Sequence, residues 1–117
     1  MGPMELLRWQ WANYPDAHRS PANLLLHLFT APFFWVGTVL LLVGLFTLGG
    51  GAAALGFACL LVPLLVQGLG HKRLETRPPV PFTGPWNFVA RFCLEQWINF
   101  PRFVLSGGWW QAFSKDP

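Results

Sequence analysis

The chain has 117 residues, 53% hydrophobic and only 11% charged, with a net charge of +3 and a pI near 9.4. That length holds one domain, residues 1–117, and no more, and so small a charged share, against roughly 25% in soluble domains, excludes an ordinary water-soluble globule. Its Lys and Arg residues are spread along the flanks rather than clustered among aromatics, which argues against nucleic-acid binding and suits apolar spans bordered by anionic headgroups.

Residues 4–13 mix Leu and Trp with Glu5, Arg8 and Gln10. They predict a short amphipathic segment on the membrane interface, and the polar residues interrupt any signal-peptide core. Tyr14-Pro15-Asp16 predicts a turn. Ser20 then offers an N-cap and Pro21 a first helical position.

Between Arg19 and Lys72 there is no charged residue. Apolar spans over about 21–48 and 52–71, each reaching about 20 residues, are long enough to cross a hydrocarbon core. Gly49-Gly50-Gly51 separates them, and Pro32 and Pro63 lie inside them. The expected fold is all-α: an integral membrane helical hairpin of two transmembrane helices, with flanking amphipathic interfacial helices. Arg8 and Arg19 precede the hairpin, Lys72, Arg73 and Arg77 follow it, and the turn is uncharged. The positive-inside rule therefore puts both termini on the cytoplasmic side.

Arg77-Pro78-Pro79-Val80-Pro81 predicts an extended return along the surface. Residues 85–99 predict an interfacial helix with Asn87, Arg91 and Glu95 on one face and an Arg91–Glu95 pair. Phe100 to Trp110 predicts an aromatic interfacial tail, and the tryptophans are simplest as interface anchors. Cys59 and Cys93 lack metal-type spacing and predict two buried, inert thiols.

Chemistry falls to the three histidines. His27 and His71 each lie about 22 residues from Gly49, or about 33 Å at the helical rise, so both should reach the same depth near one membrane face. His18 precedes the helix start and can fold over its end. Asn23 and His27, and likewise His71 and Glu75, are four residues apart and so share a helix face. Neutral imidazoles suit iron, zinc, copper and nickel, and an added carboxylate suits non-haem Fe(II). The candidate ligands are His18, His27 and His71, with Glu75 as a fourth ligand or as the group that fixes an imidazole tautomer. Gln67 is either a helix–helix hydrogen bond or a part of the site.

The pattern His18-x4-Asn23-x3-His27, a downstream Pro32, and Gln67-x-x-Gly70-His71-x3-Glu75 before a Pro-rich segment resembles a known family. It is similar to the membrane-bound 2-hydroxy fatty acid dioxygenases that act in phytosphingosine breakdown to odd-numbered fatty acids. The resemblance runs from about Tyr14 to Gly108 and includes Phe100-Pro101-Arg102-Phe103. It implies an Fe(II)-dependent enzyme that shortens a 2-hydroxy fatty acid by one carbon with O2 and releases CO2. By motif match His18, His27 and His71 become essential metal ligands, with Asn23 and Glu75 as catalytic companions. A 2-hydroxy acid can chelate iron through its hydroxyl and carboxylate and leave a position for O2. Arg73, Arg77 or Arg91 would steer the carboxylate or anchor headgroups. Two departures stand out: Thr30 occupies the place of an expected glycine, and the chain is shorter than the eukaryotic members.

Other functions fit parts of the pattern. A zinc-dependent membrane hydrolase would use Glu75 as general base. A non-catalytic hairpin binding lipid or a partner would carry no stoichiometric metal. Haem between His27 and His71 would leave Asn23 and Glu75 without a role.

Overall fold

The computed structural model describes residues 2–115. Helix α1 (Pro3–Ala17) is followed by two long helices, α2 (Pro21–Thr47) and α3 (Gly50–Arg73). After an extended stretch come α4 (Pro85–Leu94), a π-helical turn (Glu95–Asn99), α5 (Phe100–Leu105) and α6 (Gly108–Ser114). No strand occurs among the described residues. The expected all-α hairpin is what forms.

Helices α2 and α3 both reach a mean hydropathy of 2.1, and only 28% and 17% of their most apolar stretches are buried by the rest of the chain. A core helix of a soluble protein would be covered; these two turn their Leu, Val and Phe outward, as transmembrane helices do. At 27 residues, α2 is about 40 Å long, more than the roughly 30 Å of a hydrocarbon core.

The two spans touch along small residues. A Cβ on Gly37 would lie 2.7 Å from the Gly56 carbonyl oxygen, and one on Gly44 would lie 2.7 Å from Cα of Ala53. Such positions let backbones meet where lipid supplies no hydrophobic drive between helices. Gly37, Gly44 and Gly56 therefore pack within the hairpin.

The hairpin turn is tighter than a triglycine linker. Gly50 and Gly51 belong to the first turn of α3, so only Leu48 and Gly49 lie between the spans. Leu48 takes the left-handed conformation (φ 55°, ψ 29°), and the Gly49 N–H donates to the Gly44 carbonyl at 2.8 Å. This ending normally recruits glycine at the left-handed position. Leu48 is 92% exposed, so truncating it gives up little packing. Leu48→Gly is expected to raise the stability of the hairpin by about 1 kcal/mol, read as a later midpoint in denaturant titration of the detergent-solubilised protein.

A cap of short helices sits at the open end. Helix α1 runs straight through the expected turn at Tyr14-Pro15-Asp16. Pro15 is near its C-terminus, where its missing N–H leaves only one carbonyl without a partner, and Tyr14, 1% exposed, is locked against Trp11 and Phe103. Part of the expected aromatic tail is core: Phe100 and Phe103 are buried, while Leu105 and Trp110 stay exposed. Three tryptophans hydrogen-bond to neighbouring elements, Trp35 and Trp109 from half-buried positions and Trp97 while still exposed. Trp35 donates to the Gln96 carbonyl at 2.7 Å, Trp109 to the Leu24 carbonyl at 3.1 Å, and Trp97 to Thr38 Oγ1 at 3.2 Å. Trp86 and Trp110 remain exposed and fit the anchor role. Of the cysteines, Cys59 is half-buried and Cys93 exposed, so neither is fully enclosed.

Candidate metal centre

Each donor is delivered by a different segment. Ser20 caps α2 by accepting the Asn23 N–H at 3.4 Å, which starts the helix at Pro21 and sets His27 on its second turn. His71 stands in the last turn of α3. His18 directly follows α1, in the short link to α2. The three imidazoles meet edge to face, with ring centroids 4.6 Å apart for His18–His71 and 4.9 Å for both other pairs. The equal spacing of His27 and His71 from the turn thus becomes direct proximity.

The fourth member is Glu95, not Glu75. Ligand atoms of His18, His27, His71 and Glu95 all lie within 4.8 Å of one another. Glu95 Oε1 is 3.4 Å from His18 Nε2 and 3.7 Å from His27 Nε2. Neighbouring donors around an ion with metal–ligand bonds of about 2.0–2.2 Å stand roughly 3.0–3.5 Å apart, so small movements suffice.

Sequence periodicity put Glu95 on the polar face of its helix, paired with Arg91. The pair does not form, although the Glu95 N–H still bonds to the Arg91 carbonyl; a π-turn follows. The Phe100 N–H reaches back five residues to the Glu95 carbonyl, inserting an extra residue into the turn. The next carbonyl, that of Gln96, would need the N–H of residue 101, which is Pro101 and has none. Trp35 supplies the missing donor. Glu95 opens the widened turn facing the imidazoles, and Gln96 and Asn99 within it are fully buried. Arg91 turns the other way, donating to the Val80 and Pro81 carbonyls at 3.0 and 3.1 Å and lying over the rings of Phe82 and Trp9. Pro101, six residues beyond Glu95, was the available sign that ideal helical periodicity would fail here.

Glu75 does other work. Its carboxylate accepts the backbone N–H groups of Arg19 at 2.9 Å and Ser20 at 3.1 Å, together with Asn23 Nδ2 at 2.7 Å. It holds the positive N-terminal end of α2 against the end of α3. Asn23 serves the cluster through its backbone, its carbonyl facing His27 Nδ1 at 2.9 Å. Its Oδ1 lies against Gly70, where any Cβ would collide with it.

The donors suit a cation. His18 Nδ1 is 2.8 Å from the Tyr14 carbonyl, as His27 Nδ1 is from that of Asn23 at 2.9 Å. A carbonyl can only accept, so each Nδ1 carries a proton, and in the neutral ring the lone pair sits on Nε2. Those two Nε2 atoms are buried with no hydrogen-bond partner, facing a carboxylate. Buried orphan acceptors are costly, and an ion shared among them removes the cost. Burial alone would raise the Glu95 carboxyl; the positive charge that His18, His27 and His71 carry when protonated outweighs it and lowers the group. Tyr14 is raised, by burial first and by Glu95 second, so it keeps its proton and donates to Glu95 Oε1 at 2.8 Å. The residues present can hold a metal ion. His18 lies within 4.9 Å of both other rings, so the three imidazoles converge on one point rather than flank a plane as a haem's two axial ligands do.

A polar layer lies one helical turn further into the hairpin. Gln67 and Gln96 bond reciprocally through their side-chain amides, and Gln67 Nε2 also donates to Thr30 Oγ1 at 2.8 Å. Gln67 is therefore an interhelical hydrogen-bonding residue that ties α3 to the turn carrying Glu95. Thr30, at the expected glycine position, gives it a second acceptor. Arg77 is engaged with Asp16 at 3.5 Å, while Arg73 borders a shallow apolar depression with Leu26, Leu69 and Leu74.

No protein-family model, no curated protein and no solved structure matches the chain.

Proposed function

We propose that the protein is a non-haem Fe(II) dioxygenase that shortens a long-chain 2-hydroxy fatty acid by one carbon. The observation that carries this is the convergence of three imidazoles and one carboxylate, two of the imidazole nitrogens buried without partners, at one end of a transmembrane hairpin. This donor set suits Fe(II) and is compatible with zinc. When bound, iron would supply a redox-active Lewis acid for the substrate and dioxygen.

The reaction balances without a further reductant. A 2-hydroxy acid and O2 give the acid one carbon shorter, CO2 and water; the substrate gives up the four electrons that O2 takes. The chain's own residues hold the centre and keep it dry: His18 and His27 are fixed by carbonyls, and Phe100 and Phe103 close the cap over them. A site at the end of two apolar spans suits an amphiphile whose head reaches the donors while its tail stays in lipid. The positive flanks favour the cytoplasmic face for this end. A zinc hydrolase is less well supported, since Glu75, its expected base, is committed to the α2 N-terminus.

Protein loaded with Fe(II) in detergent and given a long-chain 2-hydroxy fatty acid in air is expected to yield the acid one carbon shorter, detected by mass spectrometry. Omitting O2 abolishes the product, and His71→Ala lowers its yield by at least about 100-fold, as loss of a metal ligand should. An iron-loaded protein that makes no such product sinks the dioxygenase assignment.

A further inference from the structure

We propose that Tyr14 is the positioning residue of the metal centre, its hydroxyl orienting the Glu95 carboxylate while its carbonyl and ring orient the His18 imidazole. This rests on the metal centre proposed above. Tyr14 is 1% exposed and makes three distinct contacts to two of the four donors. Its hydroxyl donates to Glu95 Oε1 at 2.8 Å. That oxygen is the one facing the Nε2 atoms of both His18 and His27, so the phenol bond selects which carboxylate oxygen points at the ion.

The backbone contact follows from how α1 ends. In a continuing helix the Tyr14 carbonyl would receive the N–H of His18. That N–H bonds instead to the Pro15 carbonyl at 3.4 Å, which leaves the Tyr14 oxygen for His18 Nδ1 at 2.8 Å. The Tyr14 ring lies against the same imidazole, centroids 3.8 Å apart and planes 11° from parallel, and Phe103 and Trp11 brace it from behind. Tautomer, ring rotation and carboxylate orientation are thus set by one residue. Partners of this kind are worth about 10–100-fold in metal affinity. A buried phenol needs some acceptor in any fold; here its acceptor is a donor atom of the centre.

The test is Co(II) binding to the full chain in detergent, followed by titration and by the visible absorption of the bound ion. Tyr14→Phe keeps the ring and the carbonyl and removes only the hydroxyl. It is expected to weaken Co(II) binding by about 10–100-fold and to shift the absorption band. Trp109→Phe removes an unrelated hydrogen bond, from the indole to the Leu24 carbonyl at 3.1 Å, and is expected to leave both readouts unchanged. Tyr14→Phe with wild-type affinity and spectrum overturns the role while leaving the centre standing. An equal loss in Trp109→Phe overturns it as well, by reducing the effect to general stability. Failure of the wild-type chain to bind Co(II) overturns the centre and the role together.

Discussion

Glu95→Ala is expected to weaken metal binding by at least about 100-fold, because it removes a ligand where even outer partners are worth about 10–100-fold. Glu75→Gln is expected to change that affinity by only a few-fold. The two glutamates exchange the parts that spacing alone gives them. Glu75, four residues beyond His71 on the same helix, spends its carboxylate on the backbone of Arg19 and Ser20. Its neutralisation should cost about 1–2 kcal/mol of stability through the α2 N-terminus. Titrating Fe(II) or Co(II) into both variants, alongside their denaturation midpoints, separates a ligand from a clamp. Tight binding in Glu95→Ala, or its loss in Glu75→Gln, would reverse the assignment.

Gly56→Leu is expected to prevent α2 and α3 from closing. A Cβ at this position would lie 2.7 Å from the Gly37 carbonyl oxygen and 2.9 Å from Cα of Leu41, so the obstruction is backbone that cannot turn aside. Overpacking in well-filled interiors costs about 1–3 kcal/mol and sometimes more, and a leucine driven between two helix backbones belongs at the upper end. The spans would remain apolar and still enter a membrane, but His27 and His71 would no longer meet. The variant should therefore reach detergent extracts as a membrane protein while losing metal binding and protease resistance together. Near-normal metal affinity in Gly56→Leu would show that the close approach is dispensable.

The hairpin was legible because a single physical requirement dominates it. About 20 apolar residues without charge allow few alternatives, and the matched distances of His27 and His71 from the turn carried directly into their meeting. The histidine cluster was legible for the same reason. The carboxylate was not, since its placement depends on contacts remote in sequence, with the His18 and His27 rings and the Tyr14 hydroxyl. Periodicity assumes ideal helix geometry, and the π-turn departs from it where Glu95 begins. At Tyr14-Pro15 local preference lost to burial: a turn signal was overridden by a tyrosine packed on all sides. The aromatic C-terminal segment misled because composition does not distinguish rings that face lipid from rings that face a core.

Two of the four donors, His27 and His71, belong to the membrane hairpin, and two, His18 and Glu95, belong to the cap. An ion bound among them therefore acts between two layers and contributes to their association by linkage, about 2.7 kcal/mol when free metal is 100 times the dissociation constant. The hairpin keeps its own glycine contacts at any metal concentration. With an ion bound there, the cap's grip on it would rise and fall with metal supply. Chelation should then act as a selective solvent for one joint, loosening the cap from spans that stay folded in the bilayer.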